Sequence, residues 1–315
     1  MRPPTPDGRS GAGQSAVPSA AGFLAAPLAE ALAVLPPRPS GLADAPLIAG
    51  GEFVRPLPPD TTCAAAARRF FREAVAGLPI PAGLLHDGVT MASELAANTL
   101  HAQRKAALGG SPERAPSGPP EIWVYLRGTS RACELVCKVF DSERGWDGAV
   151  QTGLDKAPVD SVSGRGLQVV DGLSAGMWGV HPSVSHLGTA TPGKAVWFAL
   201  RIPPAAVPDD LGRPRYSPEW LVDELEAMLG TRGMSGIVRA DAGTISVLSI
   251  SRHLTVWRHG AVVSWRASSG RYQRIELSDL VEVAEQIVCA HEESAQAEAN
   301  EFGIGRLPVA NLAAS

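Results

Sequence analysis

Residues 93–98 read Ser-Glu-Leu-Ala-Ala-Asn, residues 139–141 read Val-Phe-Asp, and residues 163–170 read Ser-Gly-Arg-Gly-Leu-Gln-Val-Val. The first stretch places a carboxylate and an amide one helical turn apart. The second places an aspartate at the end of an apolar stretch that is typical of a strand. The third puts two glycines ahead of an amphipathic helix, where backbone N–H groups can face phosphate. Each fragment is common alone, but their order along the chain indicates a nucleotide-binding protein.

The pair Glu94 and Asn98 has a functional and a structural interpretation. At positions i and i+4 of a helix, the two side chains share one face. In the functional interpretation, the Asn98 carbonyl oxygen binds Mg²⁺, and Glu94 orients or deprotonates the nucleophile that attacks a γ-phosphate. In the structural interpretation, both residues belong to an ordinary solvated helix surface, opposite the apolar stripe of the same helix.

Asp141 and the two glycines also have both a functional and a structural interpretation. An acid at the end of a strand can accept a hydrogen bond from an adenine amino group, but Asp is also a common first residue of a turn. Gly164 and Gly166 fit a phosphate-facing helix start or a plain loop-to-helix junction. They are not a P-loop, because no Gly-Lys-Ser/Thr follows, and they lack the third glycine of the dinucleotide-binding pattern.

Composition limits the class of protein. The chain has 315 residues, 45% of them hydrophobic, which is enough for one large domain or two smaller ones. A net charge of −4 gives no general electrostatic case for nucleic-acid binding. The four cysteines show neither zinc spacing nor a disulfide framework. These features favour a soluble, intracellular protein.

The N-terminal part predicts a flexible tail. Residues 1–47 are rich in Pro, Ala, Gly and Ser and lack sustained periodicity. The apolar stretch 20–35 is interrupted by Pro27 and Glu30 and is short for a membrane span. We therefore expect no membrane partner.

The rest of the chain predicts two folded parts. The expected parts are, in order, a two-layer α/β domain at 48–203 with helices on a mixed or antiparallel sheet, a Pro-rich linker at 204–216, a small α-β-β-β-α module at 217–293 and a C-terminal tail at 294–315. The three strands of the module are expected at 245–250, 254–258 and 262–266. Ser217-Pro218 predicts the start of its first helix.

Residues 50–203 resemble the histidine-kinase-like ATPase superfamily, and within it the bacterial anti-sigma-factor serine kinases. Glu94 and Asn98 match the N-box of that family, and Asp141 matches the acid that recognises adenine. Gly164 and Gly166 match its second glycine box. The match covers about half of the chain.

Two further sites belong to the same resemblance. Gly193-Lys194, ahead of an apolar strand, is similar to the closing turn and strand of the family. Gly145 is the one residue that can replace the glycine of the first box, because the segment after Asp141 departs from the family pattern. Arg165 and Leu167 flank Gly166 and are expected to contact nucleotide with it.

The resemblance implies a Bergerat-type fold, with ATP and Mg²⁺ as ligands, Asn98 as metal ligand and Glu94 as catalytic residue. It implies a cytoplasmic regulator of transcription that binds a partner, a sigma factor or an anti-anti-sigma-like protein, and phosphorylates it on serine. A non-catalytic nucleotide-dependent switch is the alternative. The segment before residue 50 contains no His, which disfavours a sensor kinase. A homodimer is compatible with the sequence.

Other features have simpler interpretations. The stretch 142–163 has little periodicity and predicts a nucleotide-responsive lid. His181 and His186 are expected on the surface, and Trp257 and Trp265 are expected to pack in the core or on the sheet. Acids of the last helix offset the arginines of the small module, so no nucleic-acid partner is expected.

Overall fold

Two five-stranded antiparallel sheets organise the part of the chain that the structure describes. The computed structural model describes residues 46–108, 118–129, 132–143, 165–188, 190–207, 216–267 and 270–301. These residues form five α-helices and ten strands, which confirms the expected mixed α/β fold. None of the helices in these segments is long and apolar enough to cross a membrane.

The first sheet has the spatial order β1-β2-β3-β5-β4. Its strands are β1 (Glu52–Pro56), β2 (Glu121–Thr129), β3 (Ala132–Asp141), β4 (Trp178–Val184) and β5 (Pro192–Ile202). All neighbouring pairs are antiparallel. Successive side chains of a strand alternate between the two faces, so each strand supplies residues to two different environments.

Three helices cover one face of this sheet. They are α1 (Cys63–Val75), α2 (Ala82–Leu108) and α3 (Arg165–Leu173). The apolar stripe opposite Glu94 and Asn98 is buried at Val89, Ala92 and Ala96, where it packs in one cluster with inward-facing residues of β2, β3 and β5. The apolar spacing along α2 therefore decides which side of that helix meets the sheet.

The C-terminal part contains more strands than expected. It begins with α4 (Pro218–Thr231), in which the Ser217 side chain accepts a hydrogen bond from the Trp220 N–H at 3.2 Å, as the Ser-Pro start predicts. The strands are β6 (Val238–Ala242), β7 (Ile245–Ser251), β8 (Leu254–His259), β9 (Val262–Arg266) and β10 (Tyr272–Glu276). The module is thus α-β-β-β-β-β-α, and the expected three strands were too few. The additional strands β6 and β10 are the two edges of the sheet, where a mostly exposed strand needs no apolar alternation.

The last helix, α5, covers the second face of the first sheet. It spans Leu280–Glu301, so the tail expected from residue 294 is helical to residue 301. Tyr125, Val136 and Ala199 of the first sheet pack in one cluster with α4, α5 and the inner face of the second sheet. The described residues, which lie between 46 and 301, belong to one compact unit. The division into an ATPase domain and a separate module remains a prediction.

Some expected features fall outside the described residues. The tail is expected at 1–47, and of it only residues 46 and 47 are described, the second opening a short 3₁₀ helix, Leu47–Ala49. Most of the expected lid, 144–163, and most of the linker, 208–215, also lie outside them.

A buried carboxylate joins α5 to the first sheet. Glu285 accepts hydrogen bonds from Lys138 Nζ at 2.9 Å and from Arg232, and its Oε1 lies 3.0 Å from His186 Nε2. The side chains of Lys138 and Glu285 are 3% and 1% exposed. Burial alone raises the pKa of Glu285, but Arg232 and Lys138 outweigh burial and hold this pKa well below its ordinary value. The carboxylate is therefore ionised and compensated in the interior.

Both histidines expected on the surface contribute to this interior network. The His186 side chain is 4% exposed and also lies 3.1 Å from Glu52 of β1. Lys138 Nζ lies 3.2 Å from His181 Nε2. Desolvation and the Lys138 charge lower the pKa of His181 to about 4, so its ring is neutral at pH 7 and Nε2 can accept. The surface expectation was wrong because β4 pairs with β5 and packs under α5.

We predict that Glu285→Gln lowers the free energy of unfolding by about 3–5 kcal/mol, because Lys138 and Arg232 stay buried without a full counter-charge. Urea unfolding at pH 7 measures the loss. Glu298→Gln on the same helix is the matched control. Its partner Arg252 is 64% exposed, so this surface pair should contribute little and the control should unfold much as the wild type does. Equal losses in the two variants would show that the buried network contributes no more than a surface pair.

Candidate functional site

The side chains of Glu94 and Asn98 face the start of α3. Glu94 and Asn98 project from α2 beside the buried residues Leu95 and Ala96. Both side chains are half-buried. They meet Gly166, the second residue of α3, which is buried. The structure thus brings together two motifs that are about 70 residues apart in the sequence.

Gly166 lies directly against the side-chain ends of Glu94 and Asn98. A Cβ atom at this position would lie 2.8 Å from Glu94 Oε2 and 3.1 Å and 3.2 Å from the two terminal atoms of Asn98. Contacts under 3.0 Å are not tolerated by a real Cβ atom, so any larger residue would displace the Glu94 carboxylate. Both neighbours are the ends of flexible side chains, which can move aside, so glycine favours the close approach of the helix backbone to the polar pair without being required for it.

The neighbours of Gly166 complete the start of α3. Arg165 is the first residue of the helix and is exposed, whereas Leu167 is half-buried and packs against the core below the helices. The first N–H groups of an α-helix have no partner within the helix and bind anions well. Gly164 lies outside the described residues, and the same holds for Gly145.

Asp141 lies at the end of β3 on the helix-covered face and is 1% exposed. Its Oδ1 atom accepts hydrogen bonds from Gln103 Nε2 and from the Glu143 N–H, both at 3.1 Å. Lys194 Nζ donates to Oδ2 at 3.3 Å. A carboxylate offers about four acceptor positions. These three bonds therefore leave one position for a further donor.

Lys194 binds both acids of this strand end. It is the cross-strand neighbour of Asp141, and its Nζ also donates to the Glu143 backbone oxygen at 2.6 Å and to Glu143 Oε2 at 2.8 Å. Burial raises the pKa of Asp141, and the Lys194 charge opposes that rise. The lysine therefore makes a buried carboxylate tolerable at this position.

Gly193 brings β5 against the end of β3. A Cβ atom at Gly193 would overlap the Asp141 backbone oxygen and lie 2.7 Å from the Phe140 ring. The glycine expected from the resemblance is thus needed for strand contact, which places Lys194 opposite Asp141.

Gln103 is a site residue that the sequence analysis missed. It is 6% exposed and lies seven residues after Ala96, so it continues the core-facing stripe of α2. A polar side chain on an apolar stripe needs a buried partner, and Asp141 is that partner. This position on the stripe was the signal available in the sequence.

The two clusters lie along one helix. Glu94 and Gln103 are nine residues apart on α2, which corresponds to about 13 Å along the helix axis. One end presents a carboxylate, an amide and a helix start, and the other presents an acid with one remaining acceptor position. Gln103 continues the core-facing stripe, whereas Glu94 and Asn98 lie on another side of α2, so the helix alone does not place the two clusters on one surface.

Comparisons with known proteins do not assign this chain to a family. No protein-family model matches the chain, and a search of curated proteins returned no significant match. The resemblance to the histidine-kinase-like ATPases therefore remains a prediction that depends on the motifs and on their placement.

We predict that Lys194→Met lowers the free energy of unfolding by about 3 kcal/mol, because Asp141 is left buried without a counter-charge. The double variant Asp141→Asn/Lys194→Met should be more stable than Lys194→Met alone, since the uncompensated charge is gone. Urea unfolding of the four proteins in this cycle at pH 7 gives the coupling.

Arg201→Met is the matched control for this cycle. It lies on the same strand, and its side chain is 82% exposed, so its loss should be at most about 0.5 kcal/mol. Additive losses from Asp141→Asn and Lys194→Met would show that the pair does not interact energetically.

Proposed function

We propose that this chain binds ATP with Mg²⁺ between α2, α3 and the end of β3, as a regulator of the anti-sigma serine-kinase type. The observation that carries this proposal is the contact of Gly166 with Glu94 and Asn98. A helix start, a carboxylate and an amide meet there without a side chain in between. Within the proposal, residues 48–203 are a Bergerat-type ATPase domain.

The phosphate end of the ligand is assigned to the cluster at Gly166. N–H groups at the start of α3, from Arg165 to Leu167, would face the phosphates. The Asn98 amide oxygen is a suitable hard ligand for Mg²⁺, which would neutralise charge on the phosphates when bound. Glu94, one turn away, would take the proton of an attacking serine hydroxyl.

The base end of the ligand is assigned to Asp141. The remaining acceptor position of its carboxylate would accept a hydrogen bond from the adenine amino group. Gln103 and Lys194 would hold the carboxylate in place for that contact. Gly193 allows the strand approach that positions Lys194.

A non-catalytic nucleotide-dependent switch is the second candidate, and Lys194 favours it. The lysine ties Asp141 to Glu143, which follows the end of β3. A ligand that donates a hydrogen bond to Asp141 would compete with Lys194 and weaken the contact between Lys194 and the two acids. The chain after β3, at Glu143, would then take a different path. Nucleotide would then alter a partner-binding surface without phosphoryl transfer. In both candidates the partner is a protein in the cytoplasm, either a sigma factor or an anti-anti-sigma-like protein.

We predict that the wild-type protein binds Mg·ATP in calorimetry and that Asn98→Ala weakens this binding about tenfold or more, because a metal ligand is lost. Glu94→Ala should spare binding and abolish phosphoryl transfer to serine if the protein is a kinase. His101→Ala, at an exposed position of the same helix, is the matched control and should bind as the wild type does.

Three results separate the alternatives. Absence of heat and of thermal stabilisation at millimolar ATP in the folded wild-type protein would refute nucleotide binding. Loss of binding in both Glu94→Ala and Asn98→Ala would make Glu94 a structural residue. Binding together with a partner response that survives Glu94→Ala would support the switch.

A further inference from the structure

The second sheet has an outer face, formed by the outward side chains of β6 to β10. Buried residues of β7, β8 and β9 pack with α4 and α5, and because side chains alternate along a strand, the residues between them point the other way. Among the described residues, eight large apolar side chains are exposed, and four of them lie on this face: Val238, Ile245, Trp257 and Tyr272. Such clustering is typical of an interaction surface.

The strand register gives the outer face an apolar side and a basic side. The outward residues of β6 and β7 are apolar except for one serine: Val238, Ala240, Ala242, Ile245, Val247 and Ser249. The outward residues of β9 and β10 include Arg266, Tyr272 and Arg274. Trp257 of β8 lies between the two sides, opposite Val247 and Ser264.

The basic side retains its positive charge. Three exposed arginines of β9, β10 and the turn between them take part in no ion pair with a described residue: Arg266, Arg271 and Arg274. Glu276, at the end of β10, is the one acid among the outward residues of the five strands. Asp241 of β6 belongs to the other face, since its cross-strand neighbour Ser246 is buried.

The acids of the last helix do not neutralise the outer face. The sequence pattern set them against the arginines of the small module, but Glu282 and Glu285 are buried against the first sheet. There they form ion pairs with Arg127 and Lys138. The outer face is therefore complementary in charge to an acidic partner, although the whole chain has a net charge of −4.

The apolar side distinguishes between two kinds of anionic partner. A single-stranded nucleic acid would stack its bases on Trp257 and Tyr272, but its phosphates need cations along the whole path. The outward residues of β6 and β7 include no cation. An amphipathic protein segment suits both sides, with apolar residues over β6, β7 and Trp257 and with Asp or Glu beside the arginines. Trp, Tyr and Arg also dominate the binding energy at protein interfaces.

We propose that the outer face is the docking surface for an acidic, amphipathic helix of a partner protein. Five strands with a spacing of about 4.8 Å give the face a width of about 19 Å, which a helix of about 13 residues spans. An apolar sheet face is commonly buried by a helix. This surface would serve the proposed regulator as its partner site. It shares no residue with the site between α2, α3 and the end of β3, so it does not rest on nucleotide binding.

Panning of a random peptide library on the full-length protein, without nucleotide, tests this docking surface. The peptides have about 14 residues, enough to span the face as a helix. The library is first depleted on Trp257→Ala, which removes peptides that bind other surfaces. We expect the remaining binders of the wild type to be enriched in Asp and Glu, with apolar residues three and four positions apart.

The arginines provide an independent test, because the selection uses only Trp257. A selected peptide, labelled with fluorescein, is titrated with each protein and followed by fluorescence anisotropy. Arg266→Ala/Arg274→Ala should weaken binding about tenfold at low salt, with a smaller loss at high salt. Arg72→Ala/Arg201→Ala is the matched control. It removes the same charge at two exposed positions away from the outer face and should bind as the wild type does.

Three outcomes would overturn the proposal. The first is panning that yields no peptide able to distinguish the wild type from Trp257→Ala, or peptides without an excess of acids. The second is equal peptide affinity of Arg266→Ala/Arg274→Ala and the wild type. The third is binding of a fluorescein-labelled oligothymidylate of about 20 nucleotides that is lost in Trp257→Ala, which would assign the face to nucleic acid.

Two measurements keep these outcomes separate from other failures. Equal thermal unfolding midpoints of the wild type and the variants would show that the variants are folded. A Mg·ATP titration of Trp257→Ala should match that of the wild type, so a protein that binds the peptide but not ATP would refute only the proposed nucleotide site.

Discussion

The contacts of Glu285 fix the relative positions of three separate parts of the chain. Lys138 comes from the middle of β3, His186 from the segment after β4, and Arg232 from the end of α4. A buried charge that loses its partner costs several kcal/mol, so none of these parts can move alone. The carboxylate therefore determines how the last helix lies on the first sheet.

Because side chains alternate along β3, the residues that hold α5 and the residues of the candidate site lie on opposite faces of the first sheet. Lys138 points to the face covered by α5, and Asp141, three residues later, lies on the face covered by α1, α2 and α3. The period of two along a strand makes this division automatic. One face is committed to holding the C-terminal part of the chain, which leaves the other face to the candidate site. Lys194 of the neighbouring strand β5 lies on the same face as Asp141 and binds it there.

Local patterns predicted much of the fold and only part of the site. The stripe on α2 and the Ser217 cap were readable because each depends on neighbours in the sequence. The edge strands β6 and β10 were missed because exposed strands carry no alternation. The Asp141–Lys194 pair depends on the register of two distant strands, which no local pattern contains. The buried positions of His181 and His186 depend on α5, far later in the chain. The sequence analysis assigned Glu94, Asn98 and Gly166 to one site, and the structure places Gly166 against both side chains, while their role in binding stays a prediction.

The separation between Lys138 and Glu285 also affects the order of folding. The two residues are 147 positions apart, and during synthesis the sheet strands leave the ribosome long before α5 does. Until that helix arrives, the Lys138 face of the sheet has neither its apolar cover nor its counter-charge. Contacts between such distant residues slow folding, and an uncovered sheet face is prone to aggregation. This protein should therefore reach its native state only after nearly the whole chain has left the ribosome, and a truncation that removes α5 should lower its soluble yield in cells.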